Sequence, residues 1–73
     1  MQYYSNNTGT SGVLAYELGA NYIRVKFRGT GRIYQYSYSK AGAYHVDMMK
    51  HLAIQGAGLN SYINRCVKYL YDR

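Results

Sequence analysis

A chain of 73 residues makes one small domain with a thin core, because a polypeptide of this size hides only about 60% of its unfolded surface. Nine Lys/Arg against three Asp/Glu give a formal charge of +6, which favours anionic partners, nucleic acid above a membrane surface. A single cysteine, Cys66, excludes an internal disulfide. It fits a reducing cytoplasm, and with no signal peptide and no apolar run of membrane-spanning length the expected protein is soluble and cytoplasmic.

Residues 1–12 are polar and rich in Asn, Ser, Thr and Gly, a composition that cannot offset the entropy of ordering, and read as a flexible N-terminal tail. The single domain then spans 13–73. Val13 to Leu18 reads as a first strand, closed by a turn at Gly19-Ala20. With a two-residue loop, Tyr16 faces Ile23, Leu14 faces Val25, and Leu14, Tyr16 and Leu18 share the apolar face. Glu17 falls on the other face, diagonal to Arg24. From Tyr22 the second strand alternates Ile23, Val25 and Phe27 with Arg24, Lys26 and Arg28, so it builds an apolar face and a cationic face together.

The next turn contains Gly29, Thr30 and Gly31. A two-residue loop at Gly29-Thr30 suits a type II′ turn and pairs Val25 with Tyr34 and Ile23 with Tyr36, which places both tyrosines in the core. A three-residue loop would slip the register by one and turn the tyrosines outward beside Lys26 and Arg24. The core register is favoured because it alone gives both strands one apolar face. After a break at Ser39 to Gly42, Ala43 to Gln55 has helical spacing, with Tyr44, Met48, Leu52 and Gln55 on one side and Met49 and Ala53 beside them. Gly56 is a natural C-terminal stop and Asn60 an N-cap for a second helix running to about Tyr71. Its stripe is Ile63, Cys66, Val67 and Leu70, with Tyr62 and Tyr69 at the margins. The expected fold is α+β: a three-stranded antiparallel meander followed by two helices packed on its apolar face.

Few constellations carry chemistry. Arg24, Lys26 and Arg28, with Arg32 at the turn, set positive charges about 6.5–7 Å apart along a strand, close to the phosphate step of a nucleic-acid strand. Tyr22 and Tyr38 border that face and offer rings for stacking. A solvated sheet face that discourages aggregation explains the same charges. Gly56-Ala57-Gly58 ahead of a helix lacks the lysine and hydroxyl of a phosphate loop. His45 and His51 are six positions apart, point to different sides of a helix and cannot share a metal, while Asp47 and His51 are spaced for a surface pair. Glu17, Asp47 and Asp72, the only acids, lie on different elements, so no catalytic set and no cofactor are expected.

The segment from Leu14 to Tyr71 resembles the KTSR domain, a short module of bacterial and phage proteins that is also appended to some lysyl-tRNA synthetases. The residues that carry the resemblance are Ile23, Val25 and Phe27, the turn glycine Gly31, Tyr34-Gln35-Tyr36, Tyr44 and the stretch from Gly56 to Ile63. Ile54 departs from the serine often seen before the glycine, and the proline often found after the third strand is absent. The resemblance implies this fold with Tyr34 and Tyr36 in the core, supplies no catalytic signature, and points toward RNA-linked biology. Charge and resemblance together lead to a non-enzymatic module that binds RNA or DNA non-specifically through the cationic sheet face. The alternative is a protein-interaction or homodimerisation module, since a thin tyrosine core gains from pairing.

Overall fold

The computed structural model describes residues 1–5, 12–29 and 31–72. The domain is α+β. Four antiparallel strands, β1 (Gln2–Tyr3), β2 (Val13–Leu18), β3 (Tyr22–Phe27) and β4 (Ile33–Ser37), lie in sequential order, followed by helix α1 (Ala43–Gln55) and the short helix α2 (Leu59–Tyr62). The helical path then continues through one π turn, Ile63–Val67.

The β3–β4 hairpin takes the core register: Ile23 pairs with Tyr36, Val25 with Tyr34, Arg24 with Gln35 and Lys26 with Ile33. Gly29 and Gly31 both have positive φ, 79° and 69°; the turn type expected at Gly29-Thr30 involves Thr30, which lies outside the described residues. The β2–β3 hairpin differs from expectation by two residues. Leu18 pairs with Ile23, Glu17 with Arg24 and Tyr16 with Val25, so the turn is centred on Ala20-Asn21, closed by the Gly19 N–H donating to the Tyr22 carbonyl at 2.9 Å. The Tyr22 ring lies over Gly19 in the place a Cβ would take, so a larger residue there would make that ring move. A shift of two preserves the faces, but a bulge between Val13 and Ala15 changes them further along. The extra residue puts both Val13 and Tyr16 in the core and turns Leu14 out of it.

The fourth strand lies within the stretch read as a tail. Gln2 and Tyr3 pair with Tyr16 and Ala15, and Tyr4 is buried, its ring edge-on to Tyr16 at 6.5 Å. The Tyr4 hydroxyl accepts the Leu59 N–H at 3.3 Å. Residues 6–11 of the expected tail lie outside the described residues. Composition hid this strand because only two residues pair, and a single tyrosine supplies the burial.

Helix α1 has the expected limits, begins after Gly42 and ends at Gly56, which is left-handed (φ 78°) and donates to the Leu52 and Ala53 carbonyls. Its buried stripe is Val46, Met49 and Ala53. The expected stripe is therefore rotated by about one position: Tyr44 is 71% exposed, Gln55 is exposed, Met48 is half-buried, and Leu52 packs against the core. Lys50 ties α1 to the β2–β3 turn, its ammonium donating to the carbonyls of Gly19 (2.7 Å) and Ala20 (3.3 Å).

The second helix corrects three expectations. Gly58 (φ 84°) holds the N-cap position, so Asn60 is the second helical residue and caps nothing. Cys66 is exposed rather than part of the stripe. A π turn closes bonds from i to i+5 and winds more residues into each turn than 3.6. Residues four apart then stay aligned, so Leu59, Ile63 and Val67 form the buried row, while Cys66, three beyond Ile63, rotates away. Helical winding ends at Val67, and the chain runs on against β4. The Tyr71 ring packs edge-on to Tyr34 (4.8 Å) and Tyr36 (6.5 Å), and the Asp72 N–H donates to the Gln35 carbonyl at 2.6 Å. The sheet contributes Tyr16, Ile23, Val25 and Tyr36 to one core with Val46, Met49, Leu59, Ile63 and Val67; each fully buried aliphatic side chain stabilises the fold by about 1.5–3 kcal/mol.

Candidate functional site

The outer face of the sheet carries Tyr22, Arg24 and Lys26, but the structure does not leave them as a bare cationic strip. Arg24 is committed three ways. Its Nε donates to Gln35 Oε1 at 2.8 Å, its terminal nitrogen lies 3.5 Å from a Glu17 carboxylate oxygen, and its guanidinium sits over the Tyr22 ring at 4.8 Å. Glu17 faces Arg24 directly rather than diagonally, and at this exposure the ion pair contributes little. Gln35 passes the chain of bonds on, donating to Asp72 Oδ2 at 2.7 Å, and the Ser37 hydroxyl donates to Asp72 Oδ1 at 2.7 Å. One row of the outer face is thus a satisfied polar ladder running Glu17, Arg24, Gln35, Asp72.

The neighbouring row is apolar. Tyr3, Ala15, Lys26 and Ile33 lie side by side, and with Met1 and Leu14 they line a shallow depression of about 300 Å³. Tyr3 is 77% exposed and Ile33 54% exposed. Lys26 lines this depression beside Ala15 and Ile33. Arg28 is exposed at the hairpin end.

Two residues expected on this face stand elsewhere. The Arg32 guanidinium donates to the Tyr34 hydroxyl, which raises its pKa above the ordinary arginine value, and so it belongs to the helix side of the sheet. Tyr38 lies against α1, its hydroxyl donating to Asp47 Oδ1 at 2.6 Å, with the Lys50 ammonium 5.4 Å from its ring centre. That hydrogen bond, foremost, raises the Tyr38 pKa. Asp47 therefore serves Tyr38 rather than the expected His51. His45 instead meets the Tyr62 hydroxyl at 2.7 Å, joining the two helices; burial first, then Cys66 and Tyr44, raise the Tyr62 pKa.

On the helix side a groove of about 420 Å³ opens between β4, the π turn and the C-terminal segment. Tyr36 and Ile63 form its floor. Its walls are Phe27, Tyr34 and Tyr71, each ring edge-on to the next at 5.6 Å and 4.8 Å. Asn64, Lys68 and Tyr69 line the helical side, with the Lys68 ammonium 5.6 Å from the Tyr69 ring centre. Burial, with Tyr34 and Tyr71 nearby, pushes the Tyr36 phenol up to about 12. The sequence signal for this groove is the run Lys68-Tyr69-Leu70-Tyr71, which reads as helix margin until the π turn ends the helix before it.

Among the described residues no group of three or more His, Cys, Asp or Glu is placed to hold a metal ion, and no helix is long and apolar enough to cross a membrane. No family model, curated protein or solved structure matches the chain.

Proposed function

We propose that this chain is a small, basic, non-enzymatic binding module of KTSR type that holds single-stranded RNA or DNA without sequence preference. The observation that carries this reading is the fate of the three acids. Glu17 is engaged by Arg24, Asp47 by Tyr38, and Asp72 by Gln35 and Ser37. Internal neutralisation therefore reaches few of the nine Lys/Arg, and the surplus charge is presented to solvent. Among the described residues of the outer face, Lys26 and Arg28 are the cations placed to meet phosphates, because Arg24 is bound into the sheet. The core placement of Tyr36, the pairing of Tyr34 with Val25 and the left-handed Gly56 support the family reading.

Fluorescence anisotropy with labelled single-stranded RNA tests it. The expected dissociation constant is on the order of 10⁻⁵ M, and log K should fall linearly with log salt concentration by about 0.7 for each phosphate contact. Lys26→Glu with Arg28→Glu should weaken binding to all sequences alike and flatten the salt slope by about 0.7 for each phosphate no longer neutralised. Binding unchanged in that variant, with the circular dichroism of the parent, would sink the outer-face assignment.

A second reading is favoured by the apolar row of Met1, Tyr3 and Ile33, which a second copy or a protein partner would cover. Sedimentation equilibrium showing one mass at all concentrations speaks against self-association. A dimer released by Ile33→Lys would establish that face as its contact.

A further inference from the structure

We propose that the groove between β4 and the π turn receives one unstacked nucleobase of a bound single strand, with the adjoining phosphate at its cationic rim. This rests on the nucleic-acid reading above and names a place in the fold that the outer-face cations do not provide. The lining is chiefly aromatic and apolar, with Phe27, Tyr34, Tyr69 and Tyr71 around a space of about 420 Å³. That lies within the size range of small-ligand sites. A base offers the flat π surface that such walls accept, and it does so whatever its identity, in keeping with binding that lacks sequence preference.

The charge at the rim selects among flat ligands. Lys68 lines the groove, Arg32 is bonded to its wall residue Tyr34, and among the described residues no carboxylate lines it. A partner's phenyl or indole ring would fill the same volume but bring no anion to the Lys68 ammonium. A nucleotide brings the ring and the anion together. Asn64 adds an amide that both donates and accepts, suited to the edge of a base. The backbone points to the same place. Asn64 opens the side of the π turn that Lys68 follows four residues later, so the wider winding sets both over the groove. Turns of this kind are rare and concentrate at functional sites.

The test compares labelled single-stranded DNA with an abasic oligomer of equal length and charge, bound to the full chain at low salt. The expected result is binding of the base-bearing strand about tenfold tighter than the abasic one. Tyr69→Ala, at a ring already 68% exposed, should bring the two to parity without changing the salt slope. Equal affinity of the parent for both oligomers, with the salt slope intact, overturns the groove and leaves the electrostatic reading standing. Absence of binding to either overturns both. A measurement on the parent protein guards against a variant that fails to fold. Addition of AMP should shift the ring-proton resonances of Tyr34, Tyr69 and Tyr71, and unmoved resonances at saturating AMP overturn the proposal.

Discussion

At the scale of single residues, Asp72 does most for its size. One backbone N–H and two carboxylate oxygens close three hydrogen bonds onto Gln35 and Ser37 of β4. Buried bonds to a charged partner exceed neutral ones, with a net contribution of about 1.5–3 kcal/mol each, and partial exposure lowers it here. Asp72→Ala keeps the backbone bond and removes the other two, so a loss of about 1–3 kcal/mol in urea unfolding is expected. Asp72→Asn should recover part of it, since the amide oxygen still accepts. A loss within about 0.5 kcal/mol, the range of ordinary surface substitutions, would mean that solvent replaces the contact. Tyr36 is the residue most sensitive to alkali. Its phenol is raised from about 10 to about 12, so the folded state holds this proton more tightly than the unfolded chain. The associated stability is whole below about pH 10. It should decline by up to about 1.4 kcal/mol per pH unit as pH climbs from about 10 toward about 12. Phenolate absorbance during titration should show one tyrosine ionising last, together with unfolding; reversible, uniform titration of all the tyrosines would contradict this.

At the scale of elements, the short strand β1 makes the sharpest prediction. Tyr4→Ala should cost about 3 kcal/mol, the usual range for removing a buried aromatic, whereas a flexible tail would give no change in the urea midpoint. Strands β2 to β4 and α1 were legible because alternation and helical spacing are local signals. Ile23, Val25, Tyr34 and Tyr36 could be paired from one turn and one apolar face, and Gly56 stops α1 as its position suggests. What stayed hidden depends on non-local geometry. The Leu14 bulge exchanges Leu14 for Val13 in the core, and no residue type announces it. The turn sits one residue later than Gly19-Ala20, with the Tyr22 ring lying over Gly19. The π turn redirects Cys66, and Asn60 loses the cap to Gly58 because the glycine already occupies the position where the helix starts.

At the scale of the whole molecule, the inner face of the sheet is the core face that alternation suggests, while the outer face departs from a plain cationic strip. The face expected to be cationic is half neutralised by the ladder from Glu17 to Asp72 and half apolar along Tyr3 and Ile33. The helix side keeps an open aromatic groove lined in part by Lys68. The candidate site was therefore legible in composition, as tyrosine and positive charge, but not in position. Arg32 stands two residues before Tyr34 and so shares its face, away from Arg24 and Lys26, while Tyr38 is held by Asp47, a partner that spacing along the chain does not announce.

The π turn also sets a phase. Upstream of it, Leu59 and Ile63 must meet α1 and the sheet; downstream, Asp72 must arrive level with Gln35 and Ser37. Removing one residue between 63 and 67 would leave Asp72 one residue short of its dock unless ordinary winding, with fewer residues per turn, took up the loss. The wide turn is thus a length adjuster between two fixed anchor points, and its extra residue is dictated by the strand it reaches rather than by the helix that contains it.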